Sequence, residues 1–169
     1  MPRQVLYQGR KIQVALDIDT LPDGRSVRRD VVLHPGAVVI LPVVDGEHVC
    51  LLRNQRPAVG QVLWELPAGT LEPGEPPEHA AARELAEETG YRAGRWTSLG
   101  HFYPSPGVLS EVMHLFVAEE LHPGPMNLEP GEELHPQIVP FRQAVAWALD
   151  GTIRDAKTVI GLLLWERRR

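Results

Sequence analysis

Glu84, Glu87 and Glu88 fall at relative positions i, i+3 and i+4. On a helix that spacing gathers all three carboxylates on one side. Like charges so placed repel by a few tenths of a kcal/mol even in water, and by more where a neighbouring loop keeps water away. A divalent cation relieves the repulsion. Mg²⁺ is a hard ion that takes oxygen ligands and usually keeps waters and substrate phosphates in its shell. A diphosphate brings negative charge of its own, so an ion between helix and diphosphate neutralises both. Arg83 can pair with Glu87 one turn later and with Glu75 across the preceding loop, which would hold the acids in place. An isolated Glu-x-x-Glu-Glu is more often a solvated helix face. Here it stands in register with Gly69, Glu75, Arg83 and Gly90, so that Gly69 to Tyr91 reads G-x5-E-x7-R-E-L-x-E-E-x-G-Y. At roughly one in fifteen per position, these fixed positions would coincide by chance on the order of 10⁻⁸ times per start site, which reverses the preference toward a metal site.

The elements that must carry these residues are legible nearby. Pro76 and Pro77 fit only the first turn of a helix, and Gly90 supplies a left-handed stop. Ala80, Ala81, Ala82, Leu85 and Ala86 are good helix formers between them. Ala81 and Leu85 share a face, with Ala82 and Ala86 beside it, that can dock on a sheet. Upstream, residues 4–8 and 11–19 read as strands around Gly9-Arg10, followed by a turn at Pro22-Asp23-Gly24 and a strand over Val27–Leu33. The apolar run from Ala37 to Val44 predicts a buried strand, and Asp45-Gly46 predicts a hairpin with Val49–Arg53 pairing back on it. Val62–Leu66 leads into the acidic segment. Further strands are expected over 95–103 and 111–119, a loop over the Pro-, Gly- and Glu-rich 121–136, a short helix over Phe141–Leu149, and an amphipathic helix over Asp155–Trp165 with a frayed Arg167–Arg169 tail.

The chain has 169 residues, 43% hydrophobic and 23% charged, enough for one globular domain with a sizeable core. A net charge of −5 argues against nucleic-acid binding as its main purpose. Cys50, the single cysteine, lies in an apolar run and reads as a small core residue. No apolar stretch is long enough to span a membrane and no signal peptide is apparent, so the cytoplasm is the expected location.

The segment from Gly69 to Tyr91 resembles the signature of the Nudix hydrolases, enzymes that cleave a nucleoside diphosphate linked to another group. The flanks resemble the bacterial ADP-ribose pyrophosphatases over nearly the whole chain. The matching pieces are Arg28–Val39, Leu66-Pro-Ala-Gly69, Phe102–Gly107 with Ser110-Glu111, and Asp155-Ala-Lys-Thr158; Pro106 stands fifteen residues beyond Tyr91, where that subfamily has a proline. The resemblance implies an α/β fold: a Nudix α/β/α sandwich with a mixed sheet at 35–169, plus an N-terminal antiparallel strand extension at 1–34. It also implies Mg²⁺ (or Mn²⁺ or another divalent ion) as cofactor, and hydrolysis of ADP-ribose to AMP and ribose 5-phosphate. The strand extension would join two subunits in a homodimer and help complete the partner's site.

Residue by residue, the resemblance makes Glu84 and Glu88 carboxylate ligands of the metal and Ala68 a ligand through its backbone carbonyl. Glu87 would ligate a metal or orient the attacking water. A loop acid would serve as base or ligand, with Glu132 the best match and Glu133 the runner-up. Arg56 would touch the diphosphate, as a guanidinium fork suits. Arg28 and Arg29 would reach the adenosine end, in relatives often from the partner subunit, and strand alternation lets only one point there, with Arg29 favoured. Glu65 would hydrogen-bond an adenine amino group or a ribose hydroxyl. Pro106 and Gly107 mark the substrate side of a turn between strands. Trp64 is expected in the core or an interface, and His79 and His101 are expected to be structural. Other readings compete: a Nudix pyrophosphatase for GDP-mannose, NADH, FAD or a diadenosine polyphosphate, and a non-catalytic ADP-ribose-binding module. A module of that kind would be expected to have lost acids that are all present here.

Overall fold

The computed structural model describes residues 3–128 and 133–169. The chain opens with three strands, β1 (Arg3–Gln8), β2 (Gln13–Thr20) and β3 (Ser26–Leu33), which form an antiparallel sheet of their own. Then follow β4 (Ala37–Pro42), β5 (His48–Arg56), β6 (Gln61–Glu65), β7 (Ala68–Thr70) and helix α1 (Pro77–Thr89). The remainder is β8 (Tyr91–Phe102), β9 (Met113–Pro123), β10 (Leu134–Pro140), α2 (Phe141–Asp150) and α3 (Ala156–Arg168). A mixed sheet in the order β7-β4-β9-β8 forms the centre, with β4 and β9 parallel and the other pairs antiparallel.

The apolar run of β4 is continuous because both faces of that strand are covered. Val38 and Ile40 point to one side, where they meet Ala80, Ala81 and Leu85 of α1 with Phe116 and Ala118 of β9. Val39 and Leu41 point to the other, against Leu115 and Val117 of β9, Leu51 of β5, Val145 of α2 and Leu162 of α3. These two clusters are the halves of an α/β/α sandwich, and they fix α1 against the centre of the sheet. The α1 face differs by one residue from the expected one: Ala80 is buried and Ala82 is exposed, because the docked stripe runs Ala80, Ala81, Leu85, Glu88. The helix begins where the prolines require, and Gly90 ends it at φ 74°, its amide donating to the Ala86 carbonyl.

Three expectations about the strands and the tail are corrected. β5 does not pair back on β4. Both edges of β4 are occupied by β7 and β9, so after a single bridge between Val43 and Val49 the chain leaves for a second sheet, ordered β10-β5-β6. The segment expected as a loop over 121–136 holds the end of β9 and the start of β10. Pro136 and Pro140 hid β10 from view; as an edge strand it tolerates residues without an amide donor. The C-terminus is not frayed, since Arg169 lies over the Phe141 ring, 4.7 Å from its centroid, and its guanidinium donates to the Gly46 carbonyl.

The first sheet is tied to the sandwich through the β8–β9 loop. Val32 donates to the Val108 carbonyl at 2.7 Å, Ser110 donates to the Val32 carbonyl at 2.9 Å, and the Ser110 hydroxyl accepts from the His34 amide at 3.0 Å. Among the described residues no helix is long and apolar enough to cross a membrane.

Candidate active site

A cleft of about 650 Å³ lies where the N-terminal end of β7, the acidic side of α1 and the end of β5 converge. One wall is α1 and the loop before it. Glu88 is buried, and its Oε2 accepts the Ala68 amide at 2.9 Å, so the helix is pinned to β7 by a carboxylate. Arg83 is shared among three acids. Its Nε and Nη2 hold Glu75 at 3.0 and 2.9 Å, and its Nη1 reaches Glu84 at 2.6 Å and Glu87 at 3.1 Å. The Glu75 hydrogen bonds, more than any other partner, push the Arg83 guanidinium well above its ordinary value. Reciprocally, Arg83 holds the Glu75 carboxyl below the usual carboxylate range. The expected pairing of Arg83 with Glu87 and Glu75 is therefore present, with Glu84 added.

Gly69 faces this cluster. A Cβ built there would lie 1.9 Å from the Glu84 carboxyl carbon, so only glycine lets the carboxylate sit against β7. Among the described residues no three His, Cys, Asp or Glu side chains already converge as a finished metal cage. A hard divalent ion does not require one, because waters and substrate phosphates complete its shell. Glu84, Glu87, Glu88 and Ala68 all line the cleft and offer only oxygen donors, which fits Mg²⁺ or Mn²⁺ and not a soft metal.

The facing wall is cationic. Arg56 lines the cleft and is 43% exposed there, while its Nε and Nη2 grip both oxygens of Glu65 at 2.8 and 2.5 Å. Lys157 of α3 also lines the cleft and donates to Glu65 Oε2 at 2.8 Å and to Asp155 Oδ1 at 2.9 Å. Burial pushes the Glu65 carboxyl up, but the Arg56 hydrogen bonds and the Lys157 charge outweigh it and hold the group below its ordinary value. Glu65 is thus ionised and 1% exposed, with both oxygens engaged. Its carboxylate faces Arg56 and Lys157.

Other expected site residues lie elsewhere. Arg28 and Arg29 are exposed on β3 and neither lines the cleft; Arg29 pairs with Asp19 at 3.1 Å across the sheet. The basic residues of the first sheet that do line it are Arg10 and Lys11, at the β1–β2 turn. Pro106 and Gly107 are exposed on the β8–β9 loop, whose next residues bond β3. Glu133 is on the cleft rim, whereas Glu132 lies outside the described residues. Trp64 packs on Trp147 with ring centroids 5.1 Å apart, under Arg53, and so belongs to the core margin.

Two cleft residues had been quoted only as parts of matching flanks. Glu111 lines the cleft, its Oε1 3.5 Å from His34 Nδ1. Lys157 could have been noticed on physical grounds, because a cation in the first turn of a helix opposes the helix dipole and must be there for another reason.

Comparison with known proteins points to one family. The model of the NUDIX domain matches residues 33–160. An ADP-ribose pyrophosphatase of Bacillus subtilis (strain 168) is 35% identical over 95% of this chain and 88% of its own length. A methanol dehydrogenase activator of Bacillus methanolicus is 33% identical over 93% of this chain and 86% of its own. The crystal structure of an ADP compounds hydrolase superposes with a TM-score of 0.83 at 26% identity, covering 99% of this chain and 91% of that one.

Proposed function

The chain belongs to the Nudix family, and from that membership we propose that it hydrolyses the diphosphate of ADP-ribose, giving AMP and ribose 5-phosphate, with Mg²⁺ as cofactor. The observation that carries the reading is the pairing of two unlike walls across one cleft: an acid cluster on α1 and a cation pair, Arg56 and Lys157, opposite. A nucleotide diphosphate needs both, since its phosphates bind a metal on one side and guanidinium or ammonium groups on the other. The similarity to a B. subtilis ADP-ribose pyrophosphatase supports ADP-ribose over other nucleoside diphosphates.

Glu84, Glu87, Glu88 and the Ala68 carbonyl would hold the metal. Bound there, it would neutralise charge on the phosphate oxygens and make the attacking water more acidic. The chain's own residues do the rest. Arg83 keeps Glu84 and Glu87 from swinging apart, and Glu88 holds β7 at a fixed distance from the helix. Arg56 orients the diphosphate, offsetting the charge that grows on its oxygens as the bond breaks. A carboxylate of the β9–β10 loop, Glu132 or Glu133, accepts the proton of the attacking water.

The same reading makes the chain a homodimer. Val5, Leu6 and Tyr7 on β1 are each about half exposed on an edge strand, an unpaired apolar edge of the kind a second copy covers. A cytoplasmic location goes with it; the lone thiol of Cys50 is buried, which pushes it up to about 12 and keeps it unreactive.

The test is incubation of the purified protein with ADP-ribose, GDP-mannose, NADH, FAD and diadenosine polyphosphates, with and without Mg²⁺. Selective Mg²⁺-dependent release of AMP and ribose 5-phosphate is expected. Preferential cleavage of another compound would overturn the substrate, and binding of ADP-ribose without cleavage under any divalent metal would overturn catalysis. Light scattering at micromolar concentration should give twice the monomer mass; a fully active monomer would defeat the dimer.

A further inference from the structure

Besides bringing Lys157 to the cleft, the first turn of α3 fastens the cation wall. Asp155 caps the helix: its Oδ2 accepts the Thr158 amide at 3.1 Å and the Thr158 hydroxyl at 2.5 Å, while its Oδ1 accepts Lys157 Nζ. From there α3 reaches two consecutive residues at the end of β6. Lys157 Nζ bonds the Glu65 side chain, and the Thr158 hydroxyl accepts the Leu66 amide at 2.8 Å. Two residues further on, the Ala68 amide is held by Glu88. The segment 65–68 is therefore clamped from α3 on one side and from α1 on the other.

The placement of Lys157 is costly. Its side chain is 7% exposed, and as a cation it sits at the positive end of a helix dipole. Two carboxylates offset that cost, and one of them, Glu65, is the group that Arg56 grips with Nε and Nη2. With Arg56 as sole counter-charge, the buried Glu65 carboxylate would draw the guanidinium onto itself and quench the charge it presents to the cleft. A second cation on Glu65 Oε2 changes both matters. It compensates the carboxylate independently and fixes the plane in which the Arg56 fork must lie. Asp155 returns one negative charge to the group, but that charge faces the helix N-terminus and two cap hydrogen bonds.

We propose that Lys157 is a positioning residue for the diphosphate: it acts through Glu65, holding that carboxylate so that Arg56 keeps its orientation and its charge for the substrate. The proposal rests on the reading of the substrate as a nucleoside diphosphate derivative. Thr158 serves the same end by fixing the backbone next to Glu65.

The experiment is steady-state kinetics on ADP-ribose with Mg²⁺ for wild type, Lys157→Met, Lys157→Arg, Arg56→Gln and the Lys157→Met/Arg56→Gln double variant, with thermal melting of each. Lys157→Met should raise KM on the order of tenfold, the scale of one charge-assisted hydrogen bond, with kcat changed far less. Lys157→Arg should restore most of the loss. In the Arg56→Gln background Lys157→Met should raise KM no further, because the arginine it positions is gone. An unchanged KM in Lys157→Met, or KM effects that multiply in the double variant, would overturn the proposal. Should Lys157→Met fail to fold, Lys157→Gln takes its place; if neither folds, Lys157 serves stability instead, and the proposal is lost. A wild type that cleaves no nucleoside diphosphate derivative defeats the substrate reading itself, and that result is seen before any variant is made.

Discussion

The two walls of the cleft are built from the same kinds of residue in opposite proportion. On the α1 wall one guanidinium, Arg83, pairs with Glu75, Glu84 and Glu87, and Glu88 adds a fourth carboxylate bonded to a backbone amide. On the α3 wall two cations, Arg56 and Lys157, meet two carboxylates, Glu65 and Asp155. The first wall carries surplus negative charge and gains from a divalent ion. The second is balanced within itself and can turn one cation outward to an anion. Desolvation makes both arrangements expensive, since unpaired charge away from water costs several kcal/mol. The difference shows where each wall expects its missing partner: the acid wall from solution, the cation wall largely from the protein.

The acid wall should break most sharply in activity. Glu84→Gln and Glu88→Gln each remove a carboxylate proposed to hold the metal while keeping its shape, and kcat should fall by about 10²–10³-fold or more, as for loss of a main transition-state stabiliser. Circular dichroism should show both variants folded, and near-normal turnover in either would sink the metal assignment. The cation wall should break in stability instead. Glu65→Gln leaves Lys157 and Arg56 without their shared anion in a buried place, and unfolding by urea should show a loss of about 3–5 kcal/mol. A loss within experimental error would mean that the wall is solvated and not internally balanced. Gly69→Ala is intermediate. Its Cβ cannot coexist with Glu84 where that carboxylate now lies, so the carboxylate must shift by an ångström or more. Displacements of that size at a reacting centre cost up to about 10²-fold, to be read in kcat with the melting temperature little changed.

The same contrast explains what the sequence made legible. The acid wall is local: Glu75 to Gly90 lie on one helix and its loop, and helix periodicity with two prolines and a glycine places every group in it. The cation wall is assembled from β5, β6 and α3, with Glu65 and Lys157 ninety-two positions apart, and no short-range period reports such a contact. For that reason the contact of Glu65 with two cations is not legible in the sequence, although Arg56 itself lines the cleft. Arg28 and Arg29 are expected, from likeness to relatives, to reach substrate often from a partner subunit; within one chain Arg29 pairs with Asp19 and the β1–β2 turn lines the cleft. Apart from β7 and β10, strand existence was readable from apolar runs and turn residues. Strand neighbours were not, since the Asp45-Gly46 turn signals a reversal without saying that both edges of β4 are already taken.

The smallest expected effect separates the walls by pH. Arg83 holds Glu75 below its ordinary value of 4.5, and the group is lowered, so folding favours its ionised form. The unfolded chain binds the proton more readily, and stability contributed by the pair is fully present above the unfolded value and is lost as pH falls through the folded one. Glu75→Gln should therefore lower stability at neutral pH and converge with wild type as the solution is acidified below about 4.5, measured by urea unfolding at a series of pH values. Glu65 is also lowered, but there burial works against the ionic partners, and the buried Lys157 and the partly exposed Arg56 lose their shared anion when it is protonated. Its contribution should fade over the same acid range in wild type and in Glu75→Gln alike. A Glu75→Gln profile parallel to that of wild type at every pH would show that Arg83 is held by Glu84 and Glu87 alone. The acid wall would then lose its claim to being organised around a single shared guanidinium.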